Sequence, residues 1–162
     1  GLGFYAVQAG PLQMAALVIV NALGDIYDPG TGKKIAGLMN EERTAFADTR
    51  KEFATLMAVQ NTGTNNTTIG AVITNAGLSK AEMGKVASMA RSAYSRCINP
   101  VVTMADGDTI YAVSVGSVPA DINATGALAA EVMAAAIQRA VLSSQITDRE
   151  YLSQCAVVPA KK

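Results

Sequence analysis

The sequence predicts one domain of the α+β class, or a layered α/β arrangement in which helices cover apolar strands. Its 162 residues are enough for a single domain with a substantial core. Half of the residues are apolar and only 16% are charged, which favours wide burial against other layers or subunits. Apolar runs of strand length are followed by helical patterns, and such elements pack as layers around one core.

The first part of the chain is predicted to consist mainly of strands. Phe4–Gln8 and Met14–Asn21 are strand-like runs separated by the turn signal Gly10-Pro11. The second run is almost continuously apolar, which is typical of a strand covered on both faces. A turn rich in glycine follows at residues 28–34. At residues 41–60 the apolar side chains have mixed spacing, so a helix and a mobile insertion are both open.

Two further strands are predicted, each after a polar segment. The strand over Thr67–Asn75 follows the loop at residues 61–66, whose sequence is NTGTNN. The strand over Thr109–Val115 follows the Asp-Gly-Asp turn at residues 106–108.

Two helices complete the predicted order of elements. Ser79 and Glu82 have the spacing of a capping box, which predicts a helix that begins at Ser79 and ends by Asn99-Pro100. A long alanine-rich helix is predicted to begin at Asp121 or Asn123, with Asn123 as an N-cap, and to end at about residue 144. The remaining tail has no clear period.

Composition excludes several classes of function. The 13 basic and 13 acidic residues cancel and form no basic cluster, so nucleic acid is not expected as a partner. The apolar run at residues 14–20 is too short to span a bilayer, so no membrane partner is expected. The chain has no histidine, which excludes Ser-His-Asp chemistry within it and removes the commonest zinc ligand. No cofactor or metal is predicted.

The two cysteines, Cys97 and Cys155, are isolated and form no CxxC pattern. Buried, reduced thiols are the preferred interpretation, and a disulfide between them is the alternative. The chain begins without an initiator methionine, which suggests a start within a longer protein. A cytoplasmic location is expected, with the periplasm as the alternative.

Adjacent threonines, Thr67 and Thr68, stand where the polar loop becomes a strand. The simpler interpretation is strand propensity, because threonine suits strands. The alternative is self-cleavage, in which a threonine hydroxyl attacks the preceding carbonyl and the resulting ester is hydrolysed. The freed α-amine, with a pKa of about 7.7–8.0, can then act as the base for its own hydroxyl. A protein without histidine has reason to use such a nucleophile.

Three sequence blocks resemble the self-processing L-aminopeptidase/D-esterase family, which includes β-peptidyl aminopeptidases and nylon-oligomer endohydrolases. They are NTTIGAVITNAGLSK from Asn66, MADGDTIYAVSVG from Met104 and NATGALAAEVMAAAI from Asn123. The upstream run ALVIVNALGDIYDPGTG is similar to the end of the family's α-subunit. The resemblance covers most of the chain, except residues 35–62 and the tail.

The resemblance implies a four-layer α-β-β-α sandwich of the N-terminal-nucleophile-like aminopeptidase and ornithine acetyltransferase type, present here as a partial chain. It implies cleavage between Asn66 and Thr67. Residues 1–66 would be the C-terminal remnant of the α-subunit, with a loop or insertion at about 35–66. Residues 67–162 would be the β-subunit, with Thr67 as nucleophile.

The resemblance also implies roles for three other residues. Asn21 matches the asparagine whose side-chain amide supports the oxyanion, although composition alone would favour a turn cap before Gly24. Asp106 and Asp108 match an acidic pair near the nucleophile in the nylon-hydrolase branch, although Asp-Gly-Asp is also ordinary turn chemistry.

The expected activity is hydrolysis of peptide or amide bonds through an acyl-Thr67 intermediate, in a homo-oligomer such as a tetramer. The family's upstream α segment, which carries an assisting lysine in the nylon-hydrolase branch, is expected as a partner. Substrates would be small peptides or amides. The alternatives are acyl transfer, as in ornithine acetyltransferases, and a truncated homologue without catalytic activity.

Overall fold

The computed structural model describes residues 1–56, 66–147, 149, 150 and 153. Within these residues, the strands are β1 (Leu2–Ala9), β2 (Leu12–Asn21), β3 (Asp25–Tyr27), β4 (Lys34–Ala36), β5 (Thr67–Ala76), β6 (Ile98–Asn99) and β7 (Thr109–Val118). The helices there are α1 (Thr49–Leu56), α2 (Lys80–Ala90), α3 (Ser92–Cys97) and α4 (Ile122–Leu142). Most of the NTGTNN loop, Cys155 and nearly all of the tail lie outside the described residues.

The main sheet has four strands in the order β1-β2-β5-β7. The β1–β2 hairpin turns at Gly10, whose φ of +60° is a conformation that glycine adopts without strain. β2 and β5 are antiparallel, whereas β5 and β7 are parallel. α2 belongs to the connection between those parallel strands, as such a connection requires. A smaller sheet has the order β4-β3-β6.

One face of the main sheet is covered by helices. α4 packs across β1 and β2, while α2 packs against β7 and α4. Alanine predominates on the buried side of α4, which lets the helix approach the sheet closely. A Cβ on Gly3 would lie 2.8 Å from the Ala140 Cβ and even closer to the α4 backbone, so this contact requires glycine.

The other face of the main sheet is uncovered in the described structure, which corrects the prediction for β2. Even-numbered residues of β2 such as Met14 and Val18 are buried, but Leu17 and Ile19 are 41% and 54% exposed. A continuously apolar strand has the same sequence pattern whether one or both of its faces are covered within the chain. The sequence alone therefore could not distinguish these two arrangements. Other exposed apolar side chains continue this surface, which we call the open sheet face: Leu2, Phe4, Ile69, Ile73, Tyr111, Val113 and Val115.

The capping box at the start of α2 is confirmed. Ser79 N donates to Glu82 Oε2 at 2.7 Å, and Ser79 Oγ accepts from Glu82 N. The helix predicted to end by Asn99-Pro100 is divided at Arg91 into α2 and α3 and ends at Cys97.

The prediction that Asn123 is an N-cap is wrong. Asp121 has the extended conformation of a cap, and its Oδ1 accepts from Ala124 N at 2.8 Å. Asn123 lies within the first turn. α4 is long and apolar enough to cross a membrane by length and composition alone, but its packing on the sheet is that of a core helix.

Part of the predicted insertion is anchored to the core by a buried carboxylate. Asp25, only 2% exposed, binds Lys34 Nζ at 2.7 Å and accepts from Thr49 Oγ1 at 2.6 Å. It also accepts from Leu38 N at 3.0 Å. These contacts hold β4 and the start of α1 beside β3. Of the two alternatives left open for residues 41–60, a helix forms over Thr49–Leu56.

Candidate active site at the Asn66–Thr67 junction

The candidate site forms where β2 ends and β5 begins. Asn21 and Thr67 are the last cross-strand pair of this antiparallel ladder. On the other side of β5, Asn66 forms an isolated parallel bridge with Asp106. The β5–β7 pairing begins at Ile69 and Thr109, so the turn at residues 106–108 lies directly beside residues 66–68. The topology therefore brings all the residues implied by the resemblance to one end of the sheet.

The Asn66 carbonyl oxygen receives two hydrogen bonds. Thr67 Oγ1 donates to it at 2.6 Å. Gly107 N donates to it at 2.9 Å. The Thr67 hydroxyl is thus next to the carbonyl group of its own preceding peptide bond. An N→O acyl shift requires this proximity, because the hydroxyl oxygen must reach that carbonyl carbon.

The two adjacent threonines have different surroundings. Thr67 is half-buried and, by strand alternation, on the open sheet face. Thr68 is fully buried on the helix side, and its hydroxyl has no hydrogen-bond partner among the residues that the structure describes. The Thr68 carbonyl accepts from the Tyr94 hydroxyl at 3.3 Å. Of these two hydroxyls, the one that lies against the Asn66 carbonyl is therefore that of Thr67.

The Asp108 carboxylate links the start of β5 to the loop before β7. Its Oδ1 accepts from Thr68 N at 2.7 Å, and its Oδ2 accepts from Val102 N at 3.2 Å. Val102 has φ of +59°, a strained conformation for a β-branched residue. Burial, and secondarily the Asp108 charge, raise the pKa of Tyr94 well above its usual value. Tyr94 therefore stays neutral and acts as a hydrogen-bond donor.

The Asp106 carboxylate stabilises the same loop by accepting hydrogen bonds from another residue of that loop. Its Oδ2 accepts from Thr103 N at 3.0 Å and from Thr103 Oγ1 at 2.7 Å. Both carboxylates of the predicted acidic pair belong to the turn that lies beside the Asn66–Thr67 junction. The donors of the hydrogen bonds described for them are backbone N–H groups and one hydroxyl.

Gly107 lies against the Thr67 side chain. A Cβ built on Gly107 would be 2.7 Å from Thr67 Oγ1, which is closer than real Cβ contacts allow. Any other residue at this position would force the hydroxyl or the turn to move.

Comparison with known proteins identifies the family of this chain. The model for peptidase family S58 matches residues 4–151. This chain belongs to peptidase family S58. An uncharacterized aminopeptidase of Mycobacterium leprae is 30% identical over 161 residues, covering 90% of this chain and 44% of that protein. A 6-aminohexanoate-oligomer endohydrolase of Agromyces is 30% identical over 150 residues, covering 82% and 42%.

Two solved structures share the fold of this chain. A protein from Pyrococcus horikoshii OT3 has a TM-score of 0.60 at 16% identity, covering 91% of this chain and 41% of its own. The L-aminopeptidase D-Ala-esterase/amidase of Ochrobactrum anthropi, described as a variant of the Ntn hydrolase fold, has a TM-score of 0.58 at 16% identity, covering 90% and 40%. The predicted α+β fold of N-terminal-nucleophile type is thereby confirmed. The S58 chain spans less than half the length of these proteins.

Two groups of the candidate site are not predicted from the sequence. The sequence predicts Gly107 only as part of a turn and gives no functional role to Tyr94. The chain position of Gly107 between two candidate aspartates was the available signal. Tyr94 gave none, because its hydroxyl reaches Thr68 O and Thr109 O only through tertiary packing. Within the part of the chain that the structure describes, no cluster of three or more potential metal ligands occurs.

Proposed function

We propose that this S58 chain is the nucleophile-bearing part of a self-cleaving amidohydrolase. The observation that carries the proposal is the 2.6 Å hydrogen bond from Thr67 Oγ1 to the Asn66 carbonyl. Thr67 Oγ1 attacks the Asn66 carbonyl carbon, and the Thr67 nitrogen leaves with the proton that the hydroxyl loses. Water then hydrolyses the ester, giving an Asn66 carboxylate and a free Thr67 amine.

The freed Thr67 is the nucleophile for substrate. Its neutral α-amine accepts the Oγ1 proton as Oγ1 attacks the carbonyl carbon of a peptide or amide. The amine portion of the substrate leaves with that proton, and water hydrolyses the acyl-Thr67 ester. The names of the S58 relatives, which include aminopeptidases and 6-aminohexanoate-oligomer endohydrolases, support peptides or small amides as the substrate class.

The proposal includes a partner for the open sheet face. Thr67 lies at one end of this apolar surface, and an exposed patch of this kind is typical of an interaction site. A polypeptide corresponding to the family's upstream α segment would cover the face and complete the substrate pocket. A homo-oligomer built from such completed units is part of the same proposal.

Trapping of the acyl-enzyme tests the function. Full-length processed protein is mixed with an activated ester of a short amino acid and quenched in acid. The expected result is a mass increase of one acyl group on the chain that begins at Thr67, removed by hydroxylamine. The Thr67→Val variant should carry no adduct. Stoichiometric acylation of another residue, or none at all, would contradict the mechanism, while transfer to an added amine in preference to water would favour the acyltransferase alternative.

A further inference from the structure

We infer that the backbone N–H of Gly107 stabilises the oxyanion formed at Asn66 during self-cleavage. The inference rests on the proposed function and assigns a catalytic role to a backbone group within the predicted turn at residues 106–108. The relevant geometry is the 2.9 Å hydrogen bond from Gly107 N to Asn66 O, made to the same oxygen that accepts from Thr67 Oγ1.

The chemistry follows from where charge develops. When Thr67 Oγ1 bonds to the Asn66 carbonyl carbon, the electron pair of the C=O π bond moves onto the Asn66 oxygen. The hydroxyl proton passes to the departing Thr67 nitrogen as the tetrahedral intermediate collapses to the ester, so the acyl shift is an isomerisation. A fixed donor on that oxygen is worth about 100- to 1000-fold in rate, because its hydrogen bond strengthens as the charge forms.

The surrounding contacts hold this N–H in place. The Asn66–Asp106 bridge fixes the turn against the junction. The Asp106 carboxylate ties the preceding residues by accepting from Thr103 N and Thr103 Oγ1. Thr109 Oγ1 donates to the Gly107 carbonyl at 3.1 Å, which ties the turn to the start of β7. The donor is therefore preorganised, so little reorganisation accompanies the reaction.

The absence of a side chain at Gly107 leaves room for the Thr67 hydroxyl beside the Gly107 N–H. The donor must approach Asn66 O while Thr67 Oγ1 occupies the same space, and a Cβ would be 2.7 Å from that Oγ1. Glycine is the residue that offers its N–H here without displacing the nucleophile. After the cut, this N–H faces the place that the Asn66 carbonyl occupied, where the carbonyl of an acyl group on Thr67 would lie.

Replacing one backbone amide by an ester isolates the N–H from side-chain effects. Glycolic acid is introduced in place of Gly107 in the full-length protein, which removes the N–H and leaves the turn without a side chain. The matched control is glycolic acid in place of Gly77, whose N–H donates to the Val118 carbonyl at 2.8 Å at the opposite end of β5. Both proteins lose one N–H of a glycine that donates to a backbone carbonyl.

The expected result is cleavage at Asn66–Thr67 slowed by about 100-fold or more in the Gly107 ester and by less than about threefold in the Gly77 ester. The processed Gly107 ester, collected after long incubation, should have a similarly reduced kcat. Equal cleavage rates in the two esters, with normal cleavage in the unmodified protein, would overturn the role of Gly107 and leave the proposed function intact. Failure of the unmodified protein to cleave would overturn both.

A second measurement applies if the Gly107 ester does not fold. In full-length Thr67→Val protein labelled with ¹⁵N and ¹³C, a through-hydrogen-bond coupling should connect the Gly107 nitrogen to the Asn66 carbonyl carbon. A Gly107 amide that exchanges freely with solvent and lacks this coupling would overturn the inference, because the donor would not be on the reacting oxygen.

Discussion

Asn21 and Thr67 are direct cross-strand partners, and they are the last pair of the β2–β5 ladder. Opposite residues of an antiparallel pair project to the same face with Cβ atoms about 4.5–5.5 Å apart. The Asn66 side chain also approaches Asn21, with Nδ2 donating to the Asn21 carbonyl at 3.5 Å. The asparagine and the threonine implied by the family resemblance are therefore neighbours at the end of the open sheet face.

A matched pair of hydroxyl deletions separates the roles of the adjacent threonines. Thr67→Val should abolish self-cleavage, because it removes the only hydroxyl described next to the Asn66 carbonyl. Thr68→Val should cleave normally and raise the free energy of unfolding by about 1 kcal/mol, because the buried hydroxyl has no partner among the described residues. Gel analysis of cleavage and urea denaturation measure the two effects.

Each member of this pair is a control for the other, because both changes replace one hydroxyl by a methyl group. Loss of cleavage in Thr68→Val, or retention of cleavage in Thr67→Val, would contradict the roles assigned to the two threonines.

Removing the Asn21 side-chain amide tests its role as an oxyanion donor. Asn21→Ala should fold, because Asn21 is exposed at a strand end. Its kcat on a small amide should fall by about 100- to 1000-fold, as expected when one oxyanion donor is lost. Gln13→Ala is the control, since Gln13 is an exposed residue with the same kind of side chain at the other end of β2. A kcat for Asn21→Ala within a few-fold of the control would remove Asn21 from the site.

The Asp108 charge should influence the pH dependence of hydrolysis. Asp108 Oδ1 binds the N–H of Thr68, one residue from the Thr67 nitrogen that becomes the amine. A nearby negative charge favours the protonated amine, so its pKa should lie above about 7.7–8.0. The amine must be neutral to act as base, so activity should fall on the acidic side of that pKa. Asp108→Asn should shift this acidic limb towards lower pH.

Asp108→Asn should also lower the free energy of unfolding by about 1–3 kcal/mol, because an amide can accept from only one of the two N–H groups that the carboxylate binds. Asp121→Asn is the control, since Asn caps a helix as well as Asp and α4 begins far from the junction along the chain. Rate–pH curves are recorded with EDTA present. Superimposable curves for Asp108→Asn and wild type, or inhibition by EDTA, would refute this account of the site.

The parts of the fold that depend on local patterns were predictable from sequence. The capping box at Ser79 and the strand that begins at Thr67 are set by residues within a few positions of each other. The boundary between α2 and α3 was not, because no proline or glycine marks Arg91. The open sheet face could not be predicted, since apolar alternation is the same whether the covering layer belongs to this polypeptide or another.

The site was predictable only in part, because its geometry depends on parallel pairing between β5 and β7. Resemblance pointed to Asn21, Thr67, Asp106 and Asp108, and topology brings them to one end of the sheet. The hydrogen bond from Gly107 N to Asn66 O joins residues about forty positions apart. A glycine in a turn motif gives no sign of such a contact until the register of the strands is known.

Cys97 should be unreactive in the folded protein. It is fully buried, and burial raises the pKa of its thiol to about 11. At pH 8 only about one molecule in a thousand would carry the reactive thiolate. In a Cys155→Ser variant, iodoacetamide should label Cys97 only after unfolding. Fast labelling of the native protein, or a Cys97–Cys155 disulfide in the wild type, would contradict this prediction.

The central claim is that Thr67 cuts its own chain, and the intact mass of freshly purified full-length protein tests it most directly. Mass spectrometry after incubation at neutral pH should find a fragment that begins Thr67-Thr68-Ile69, with its N-terminus verified by sequencing. The Thr67→Val protein, purified in parallel, should remain a single chain. Wild-type protein that stays uncut while folded, or that is cut at any other bond, would contradict the account.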